Sequence, residues 1–553
     1  MTQPQTQEQL NHLPTAQTKR RVRTPIPEQV DVAIIGAGTG SLTAAAYLAR
    51  QGLSVACFDH HYVAGGCATQ FARGPRDRRY MFDIGLHYVG DTKEGGIFHS
   101  LLEPLDINID FVPLDPDGFD TLIYPDFEFK IPSDRDLFRQ RLLDLFPAEK
   151  RGIDRYLRLV REVEATGSKL FASHGRLSPA VLWHVLTRSH LMLMQQNATI
   201  ERFLDSCTQD PKLRAVLLGQ HGDYGVPPSE ASAVLHTGLF AHLSNAPAYP
   251  RGGGQVISDR LAEATEANGG SIVLRRGVQK ILVEGGRAVG VRLEGHKGEA
   301  PDVRASVVLS GADIKQTYLQ LLEPDHLPSA QLRQAENWQM AGAIFMTCVA
   351  VNTDMRAKGM RAANYWEMDG YDLDAFYKSE RVTDYPRAHG SYITSSSLKD
   401  PETPWHAPEG VTAIEIMTLV HGEASAWGIQ HDDIASGRYS KHPEYLQRKK
   451  AIETDMVDRL ERQFPGTREH IEFCESASPM THFRYTRAAE GTGYGIAATP
   501  AQFFTKRPDE RSPIKGLYLC GASTRSGHGI VGALQSGWLA ARSIARELGK
   551  PIR

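Results

Sequence analysis

A glycine-rich turn and an acidic residue near the start of the chain are the first residues whose types and spacing suggest chemistry. The turn, residues 36–41 (GAGTGS), follows an apolar, β-branched run over 30–35 and precedes an alanine-rich stretch typical of a helix. A second apolar run ends at Asp59, 23 residues after Gly36 and close to the ~20 expected of a dinucleotide-binding unit. Gly36 permits the tight turn, and Gly38 lets the backbone approach a pyrophosphate. This order of elements predicts dinucleotide binding.

The other parts of this unit also match the chemistry of a dinucleotide. The N-terminus of a helix presents free N–H groups and a positive dipole to phosphates, and the Asp59 carboxylate can accept hydrogen bonds from an adenosine ribose. Ser41 stands where a third glycine is usual, but serine is small enough for close packing of helix against strand. The alternative interpretation is a glycine-rich turn in another α/β fold. NAD(P) stays open as a further cofactor, although the chain has no second fingerprint for it.

The elements that position these residues are divided along the chain. Glycine-rich segments recur near residues 251–254 and 521–532, separated from the first by a mostly helical stretch and from each other by a mixed stretch. They precede predicted helices over 255–268 and 533–548, respectively. This predicts an α/β (mixed α+β) fold, with a Rossmann-like domain assembled from discontinuous segments and a second substrate domain of helices and mixed sheet. The predicted ranges are a disordered leader over 1–29, a cofactor-binding domain over 30–100, 252–330 and 505–553, and a substrate-binding domain over 101–251 and 331–504.

Composition excludes several classes of protein. The 553 residues carry 62 Lys plus Arg and 65 Asp plus Glu, which gives no general attraction to nucleic acid. The six cysteines form no C-x-x-C pair and have no histidine pair at zinc spacing, so we expect neither a disulfide framework nor a metal site. The chain lacks the run of ~18 apolar residues that a spanning helix needs. We expect a cytoplasmic protein, with peripheral membrane association left open.

Three further motifs carry a resemblance to a known family. Residues 83–90 (DIGLHYVG) are similar to a D-x-G-x-H-Y-x-G segment, residues 219–228 (GQHGDYGVPP) to G-Q-x-G-D-Y-G-x-P-P, and residues 516–537 to a C-terminal flavin segment. With these motifs, nearly the whole chain after residue 30 resembles the FAD-dependent phytoene desaturase, carotenoid isomerase and retinol saturase superfamily. The first two motifs favour its retinol saturase branch. The resemblance implies a two-domain flavoprotein with an extended FAD.

The resemblance also implies the cofactor-binding residues. They are Gly36, Gly38, Gly40 and Ser41 at the pyrophosphate turn, Asp59 at the ribose, Gly65, Gly66 and Cys67 along the same wall, Val278 at the adenine, and Gly521, Ala522, Gly529, Ile530 and Gly532 at the ribityl chain and isoalloxazine. Two positions depart from the common pattern of the superfamily. Asp59 stands where glutamate is commoner, and Cys67 stands where desaturases often have arginine, which agrees with the saturase branch.

Four residues are candidates for contact with substrate or flavin: His87, Asp223, Tyr224 and His528. His87 is either a donor to substrate or flavin or a core histidine bonded to the backbone. His528 lies between glycines, and imidazole titrates near neutral pH, so it is a candidate proton donor or flavin modulator. Asp223 and Tyr224 either face a substrate pocket or serve turn chemistry. Cys67 is interpreted as a packing residue, because no neighbouring cysteine is present to pair with it.

The chemistry implied by the resemblance is hydride exchange between flavin N5 and a C=C or C–C bond of a long apolar lipid. A carotenoid, a retinoid and an unsaturated fatty-acyl compound all stay open as substrates, as do desaturation, saturation and isomerisation. The alternatives are a non-catalytic, lipid-binding flavoprotein and, with weaker support, an FAD-dependent amine oxidase. An apolar stripe within residues 179–194 predicts either a core helix or a peripheral membrane contact. The oligomeric state is left open.

Overall fold

The computed structural model describes residues 24–175, 177–295, 298, 300–378 and 389–552. The strands, in chain order, are β1 (Gln29–Ile35), β2 (Val55–Asp59), β3 (Gln70–Arg73), β4 (Tyr80–Asp83), β5 (Phe111–Pro113), β6 (Asp120–Ile123), β7 (Glu128–Ile131), β8 (Ala248–Pro250), β9 (Ser271–Leu274), β10 (Val278–Glu284), β11 (Arg287–Leu293), β12 (Asp302–Ser310), β13 (Ala343–Val351), β14 (Asn364–Met368), β15 (Gly390–Thr394), β16 (Thr412–Val420), β17 (Ile471–Ala477) and β18 (Leu517–Leu519).

Of the α-helices in the described residues, seven follow one another between β7 and β8. The α-helices, in chain order, are α1 (Thr39–Arg50), α2 (Ile97–Leu102), α3 (Arg135–Leu145), α4 (Lys150–Ala172), α5 (Pro179–Arg188), α6 (His190–Gln195), α7 (Ile200–Asp205), α8 (Pro211–Leu217), α9 (Ala233–Leu243), α10 (Gln255–Ala267), α11 (Ile314–Leu319), α12 (Ser329–Asn337), α13 (Ala375–Lys378), α14 (Ser396–Lys399), α15 (His431–Ala435), α16 (Pro443–Gln463), α17 (Pro479–Thr486) and α18 (Gly529–Glu547).

The first seven-stranded sheet, called sheet 1, has the order β10-β11-β12-β1-β2-β9, and β18 also pairs with β12. The pairs that β1 makes with β12 and with β2 are parallel, as are β2 with β9 and β12 with β18. Val32, Ala33 and Ile34 of β1 are completely buried. Burial on both faces is typical of parallel strands that are covered by helices. Here α1 packs against both α10 and α18 on one side of the sheet.

The second seven-stranded sheet, called sheet 2, has the order β17-β13-β16-β15-β14-β6-β7. Successive residues of β13 point to opposite faces, as the period of a strand requires. Phe345 and Val349 pack in the core that contains Met456 of α16. Met346 and Cys348 face the other way, toward the core that includes sheet 1 helices. Sheet 2 therefore covers α16 with one face and leaves the other face for the interior of the protein.

These two sheets confirm the predicted mixed α/β fold class. Strands of sheet 1 come from residues 29–59, 271–310 and 517–519, and strands of sheet 2 come from 120–131 and 343–477. Each set lies within one of the two groups of ranges that the sequence assigns to separate domains. The domain boundaries themselves stay a prediction.

Two expectations about the chain ends need correction. Residues 1–23 of the predicted leader lie outside the described residues, but Thr24 Oγ1 donates to Ile272 O (3.1 Å) and Ile26 packs against the core beside sheet 1. The prediction that disorder extends to residue 29 is therefore wrong. The last helix also begins earlier than its glycines suggest, at Gly529 rather than Ala533. Gly529 has φ +77°, a left-handed conformation that favours glycine at this position.

Candidate active site

A cavity of about 770 Å³ lies where the carboxyl ends of the sheet 1 strands face sheet 2. Its walls include Gly36, just after β1, and Asp59, at the end of β2, together with Trp366 and Met417 from β14 and β16. Open α/β sheets bind ligands at the carboxyl ends of their strands, in cavities of ~300–1,000 Å³. The cavity is therefore the candidate active site.

The turn between β1 and α1 leaves room for a ligand. Gly36 has φ +85°, a left-handed conformation that favours glycine. A Cβ atom placed on Gly38 would meet no heavy atom within 4 Å, so the backbone there borders open space. The helix begins at Thr39 without a side-chain cap, which leaves its first N–H groups available. These features fit a pyrophosphate beside Gly36 and Gly38.

Gly40 and Ser41 line the same wall, but their small size serves helix packing. A Cβ atom on Gly40 would lie 2.9 Å from Ala533 O of α18. The buried Ser41 hydroxyl lies 3.8 Å from the Cys520 thiol. The resemblance places Gly40 at the pyrophosphate, whereas the structure assigns its missing side chain to the contact between α1 and α18.

Asp59 is bonded to the glycine turn. Its Oδ2 accepts a hydrogen bond from Ala37 N (2.7 Å), and its Oδ1 accepts one from His61 N (2.8 Å). Each carboxylate oxygen keeps a further acceptor site, and the side chain lines the cavity. Asp59 is thus able to fix the turn and to accept ribose hydroxyls. The ribose contact stays a prediction.

The loop after β2 forms the next part of the wall. Gly65 N donates to Ala37 O (2.7 Å), and a Cβ atom on Gly66 would lie 3.2 Å from Gly38 Cα, so the loop packs directly on the glycine turn. Cys67 follows and lines the cavity, where burial raises the pKa of its thiol to about 11. A neutral thiol agrees with a packing residue rather than a redox-active one.

Val278 and the C-terminal segment complete this side of the cavity. Val278, the first residue of β10, is buried and borders the cavity. The predicted flavin residues that also border it are Gly521, Ala522, Gly529 and Ile530. A Cβ atom on Gly529 would meet no heavy atom within 4 Å. Open space therefore borders the start of α18 as it does the start of α1.

Gly532 lies elsewhere. It is absent from the residues that border the cavity, and a Cβ atom there would lie 2.5 Å from Gly527 O. This glycine packs the first turn of α18 against the preceding loop, and its contact with flavin stays a prediction.

Two helix N-termini meet at the cavity, α1 at Thr39 and α18 at Gly529, and neither has a side-chain hydrogen-bond cap. Each presents the positive end of a helix dipole and free N–H groups. The N-terminus of α1 suits a pyrophosphate, and the N-terminus of α18 suits negative charge at the far end of an extended ligand. The residues present therefore fit an extended dinucleotide cofactor.

Three of the four predicted catalytic residues border the cavity beyond this cofactor wall, namely His87, Asp223 and His528. Asp223 lies in a 3₁₀ turn, His221–Tyr224. The His528 imidazole donates a hydrogen bond to the backbone carbonyl of Asp223. Its ring also lies 5.7 Å from the Tyr494 ring, edge to face. The fold thus joins residues from three distant parts of the chain.

Burial keeps both histidines neutral. Burial, followed by the charge of Lys399, lowers the pKa of His87 to about 3. Burial, followed by the charge of Arg507, lowers the pKa of His528 to about 3. The expectation that His528 titrates near neutral pH is therefore wrong. A neutral imidazole still donates one hydrogen bond and accepts another.

The pKa of Asp223 shifts in the opposite direction to that of the two histidines. Burial, followed by the negative charge of Asp120, raises the pKa of Asp223 to about 8. A carboxyl group with this pKa keeps its proton at neutral pH. Asp223 is therefore the acid among the predicted candidates that face the cavity.

Tyr224 lies behind the cavity rather than in it. Its side chain is completely buried, and its hydroxyl lies 3.1 Å from His236 Nδ1. His236 Nε2 in turn lies 3.2 Å from the Tyr156 hydroxyl. This network satisfies polar groups in the helical core. The predicted substrate contact of Tyr224 is wrong, because the 3₁₀ turn directs Asp223 and Tyr224 to different sides.

Sequence reasoning missed three residues around Asp223: Tyr88, Asp120 and Lys399. The Tyr88 hydroxyl lies 2.8 Å from Asp223 Oδ2 and 3.1 Å from Asp120 Oδ2. Tyr88 belongs to the motif over 83–90, so the sequence contained a signal for it. Asp120 begins β6 and Lys399 ends α14, and neither stands in a recognised motif.

A dinucleotide-binding wall beside a chamber with apolar residues fits a flavin-dependent oxidoreductase. The family model for flavin containing amine oxidoreductases matches residues 42–545, most of the chain. The chain therefore belongs to this family, and its predicted cofactor, FAD, is confirmed.

Relatives and solved structures agree with this assignment. The chain is 27% identical over 520 residues to the all-trans-retinol 13,14-reductase of Danio rerio, with 90% of this chain and 83% of that protein covered. It is 23% identical over 544 residues to prolycopene isomerase 1, chloroplastic, of an Oncidium hybrid cultivar, with 94% and 85% covered. Putrescine oxidase bound to putrescine shares the fold, with a TM-score of 0.59, 16% identity and coverage of 94% and 99%. The resemblance to the retinol saturase and carotenoid isomerase superfamily is confirmed.

Proposed function

We propose that this FAD-dependent oxidoreductase acts on a C=C or C–C bond of a long apolar polyene, of the retinoid or carotenoid class. The observation that carries the proposal is the composition of the chamber beyond the cofactor wall. Sheet 2, α9 and α13 supply a group of apolar and aromatic side chains to its lining: Leu239, Leu243, Ile344, Met346, Trp366, Phe376, Met417 and Leu419. Such a lining excludes water and favours apolar substrates over charged amines. The named activities of the relatives support the same class.

FAD, when bound, supplies hydride exchange at N5. Residues of the chain bind and orient the substrate and hold a proton. The apolar lining holds the polyene and excludes water, which strengthens the electrostatic interactions inside the site. The neutral His87 ring orients the reacting region, with its Nε2 buried and without a partner among the described residues. Asp223 holds a proton at its carboxyl group.

A test of the proposal compares substrates by their effect on the bound flavin. Reduced holoenzyme is mixed anaerobically with a polyene, and oxidised holoenzyme is mixed with a polyene or with an alkylamine, while flavin absorbance is followed. We expect polyene-dependent change in flavin redox state and no bleaching by amines. Met417→Glu is expected to slow the polyene reaction at least tenfold with FAD retained, since it places a charge in the apolar chamber. Leu145→Glu is the matched control, because Leu145 is 52% exposed on α3. Bleaching by amines alone would contradict the proposal.

A second part of the proposal concerns how such a substrate reaches the chamber. We infer a peripheral membrane contact through an apolar patch of four exposed side chains: Leu182 (47% exposed), Trp183 (64%), Leu186 (62%) and Met194 (67%). The apolar stripe within residues 179–194 forms two helices, α5 and α6, which are separated by the buried residue Ser189. Val181 and Leu191 are buried and belong to the core. The exposed residues of the stripe are the ones that we propose for the membrane contact.

The apolar patch is connected to the chamber by one layer of helices. α6 packs against α9, and Leu239 and Leu243 of α9 border the cavity. Among the described residues, no helix has the length and apolarity needed to span a bilayer. Contact through the patch would rest on burial of apolar area at ~25 cal/mol per Å².

Liposome flotation tests this contact. We expect the wild-type protein to float with lipid and the double variant Leu182→Glu, Leu186→Glu to stay in the soluble fraction with its FAD. The matched control is Leu137→Glu, Leu145→Glu, two exposed leucines on α3, which should still float. Wild-type protein that stays soluble with every lipid composition would overturn the membrane contact.

A further inference from the structure

A single tyrosine hydroxyl joins two buried carboxyl groups beside the chamber. Tyr88 OH lies 2.8 Å from Asp223 Oδ2 and 3.1 Å from Asp120 Oδ2. Tyr88 is 9% exposed and Asp120 is completely buried, whereas Asp223 borders the cavity. These three side chains, called the carboxyl bridge, come from the loop after β4, from β6 and from the 3₁₀ turn before α9.

The two short contacts of the Tyr88 hydroxyl favour one more proton in the carboxyl bridge than the tyrosine supplies. A hydroxyl group has one hydrogen, so Tyr88 can donate to only one of the two carboxyl oxygens. The second short contact is a hydrogen bond only if a carboxyl group carries a proton and donates it to the Tyr88 oxygen. Two ionised carboxylates on one buried hydroxyl would also repel each other in a medium of low dielectric.

Burial raises the pKa of Asp120, but two amide donors act against this increase and stabilise its ionised form. Gln220 Nε2 donates to Asp120 Oδ2 (2.6 Å), and Asn364 Nδ2 donates to Asp120 Oδ1 (2.8 Å). A carboxylate that accepts two or three such bonds is stabilised as the anion. Asp223 has no such amide donors among the described contacts of its carboxyl group. The extra proton is therefore better accommodated on Asp223 than on Asp120.

A buried cation fixes the charge balance of this region. Lys399 is 2% exposed, and its Nζ donates to His87 O (2.6 Å), Asn364 Oδ1 (2.5 Å) and Thr394 Oγ1 (2.5 Å). Three acceptors match the three hydrogens of an ammonium group. One cation compensates one anion at low dielectric, which favours a single ionised carboxylate in the bridge. The titratable and charged groups that interact with the bridge from the packed elements are Tyr224, Tyr392, Lys399, Tyr494 and His528, and Asp83 and Glu415 act on Lys399.

The geometry points to Asp223 as the acid that protonates the substrate carbon, with Tyr88 and Asp120 as positioning residues that hold its proton. This inference rests on the proposed function and gives it a direction, namely saturation of a C=C bond. One alkene carbon receives hydride from the reduced flavin, and the other receives H⁺ from the Asp223 carboxyl group. The double bond is reduced by two electrons, the flavin is oxidised by two, and Asp223 is left as a carboxylate. Solvent and an external two-electron reductant restore the starting state.

Infrared spectroscopy of the holoenzyme tests the proton without any substrate. A protonated carboxyl group has a C=O stretch that an ionised one lacks. We expect Asp223→Asn to remove one such band and the wild-type band to disappear near pH 8. Asp120→Asn should move that midpoint at least about 1 pH unit lower, because a neighbouring anion is lost. Tyr124→Phe is the matched control, since this buried hydroxyl bonds only Ala215 O among the described contacts and does not border the cavity. A wild-type spectrum at pH 6 without a band that depends on Asp223 would overturn the inference.

A kinetic experiment tests the acid role separately. Dithionite-reduced holoenzyme is mixed with a polyene in D₂O, and the product is analysed by mass spectrometry for solvent deuterium. We expect one solvent-derived deuterium per saturated bond, and a ~10²–10⁴-fold slower reaction in Asp223→Asn with FAD content and flavin reduction unchanged. Saturation by Asp223→Asn at the wild-type rate would overturn the acid role. Failure of every polyene to react would refute the proposed function instead. The infrared experiment would still test whether Asp223 carries a proton, because it needs no substrate.

Discussion

The contrast between Gly38 and Gly40 separates cofactor binding from protein stability. Gly38 has φ −72° and ψ 169°, which alanine adopts without strain, and a Cβ atom there enters open space. At Gly40, a Cβ atom would lie 2.9 Å from Ala533 O and 3.2 Å from Gly521 N, both backbone atoms. One added methyl group should therefore have different effects at positions two residues apart.

The expected magnitudes follow from these distances. Gly38→Ala should leave the apoprotein as stable as wild type or ~0.4–1 kcal/mol more stable, because alanine restricts the unfolded chain. The same methyl group occupies the space assigned to the pyrophosphate, so FAD affinity should fall at least tenfold, or ~1.4 kcal/mol. Gly40→Ala should cost the apoprotein ~1–3 kcal/mol, because α18 must move away from α1.

Two measurements on both variants check this reasoning. Urea unfolding of the apoproteins, followed by circular dichroism, gives the free energies of unfolding. Flavin fluorescence gives FAD affinity. If Gly38→Ala destabilises the apoprotein as much as Gly40→Ala does, or if it binds FAD as tightly as wild type, the placement of the pyrophosphate is wrong.

Three further perturbations have expected outcomes. Asp59→Ala should weaken FAD binding by ~1–3 kcal/mol in a titration, because it removes an acceptor at the cavity and the hydrogen bond from Ala37 N. Unchanged FAD affinity would exclude Asp59 from the site. The pKa of Asp223 is raised from 3.8 to about 8, so the folded protein keeps a proton that the unfolded chain releases. Rising pH across this range therefore lowers the free energy of unfolding by up to ~1.36 kcal/mol per pH unit. Asp223→Asn should therefore gain stability relative to wild type between pH 5 and pH 8 in urea unfolding, and parallel pH dependences would contradict the burial of this acid. Arg459 is completely buried and donates to Asp369 Oδ2 (2.8 Å), so Arg459→Leu should cost ~3–5 kcal/mol of unfolding free energy with normal FAD per folded protein; a loss below 1 kcal/mol would show that the ion pair is replaceable.

Local patterns predicted the cofactor half of the fold well. The strand, turn and helix over 29–50 combine a buried strand pattern with a glycine turn, and all of these signals lie within a short stretch of sequence. The helix predicted over 255–268 ends at Ala267 for the same reason. At α18 the predicted start was wrong, since Gly529 and Gly532 are typical of loops, and Gly529 has φ +77° at the first position of the helix.

The catalytic part of the site was less predictable, because it depends on contacts between distant residues. Asp223 is 135 residues from Tyr88, and Tyr88 is 32 residues from Asp120, so no local pattern joins them. The direction of a side chain is equally hidden, as the adjacent Asp223 and Tyr224 show. The titration of His528 could not be inferred either, since burial and the distant Arg507 set it.

The central position of β12 in sheet 1 has a consequence for synthesis of the chain. β12 pairs with β1, made early, and with β18, made more than 200 residues after it, and α18 then packs on α1. Contacts of such long sequence separation form slowly, and an incomplete domain exposes apolar surface meanwhile. The cofactor-binding wall is therefore completed only after β18 and α18 have been synthesised. Nascent chains should depend on chaperones until FAD arrives, and cells short of riboflavin should degrade this protein rather than accumulate its apoprotein.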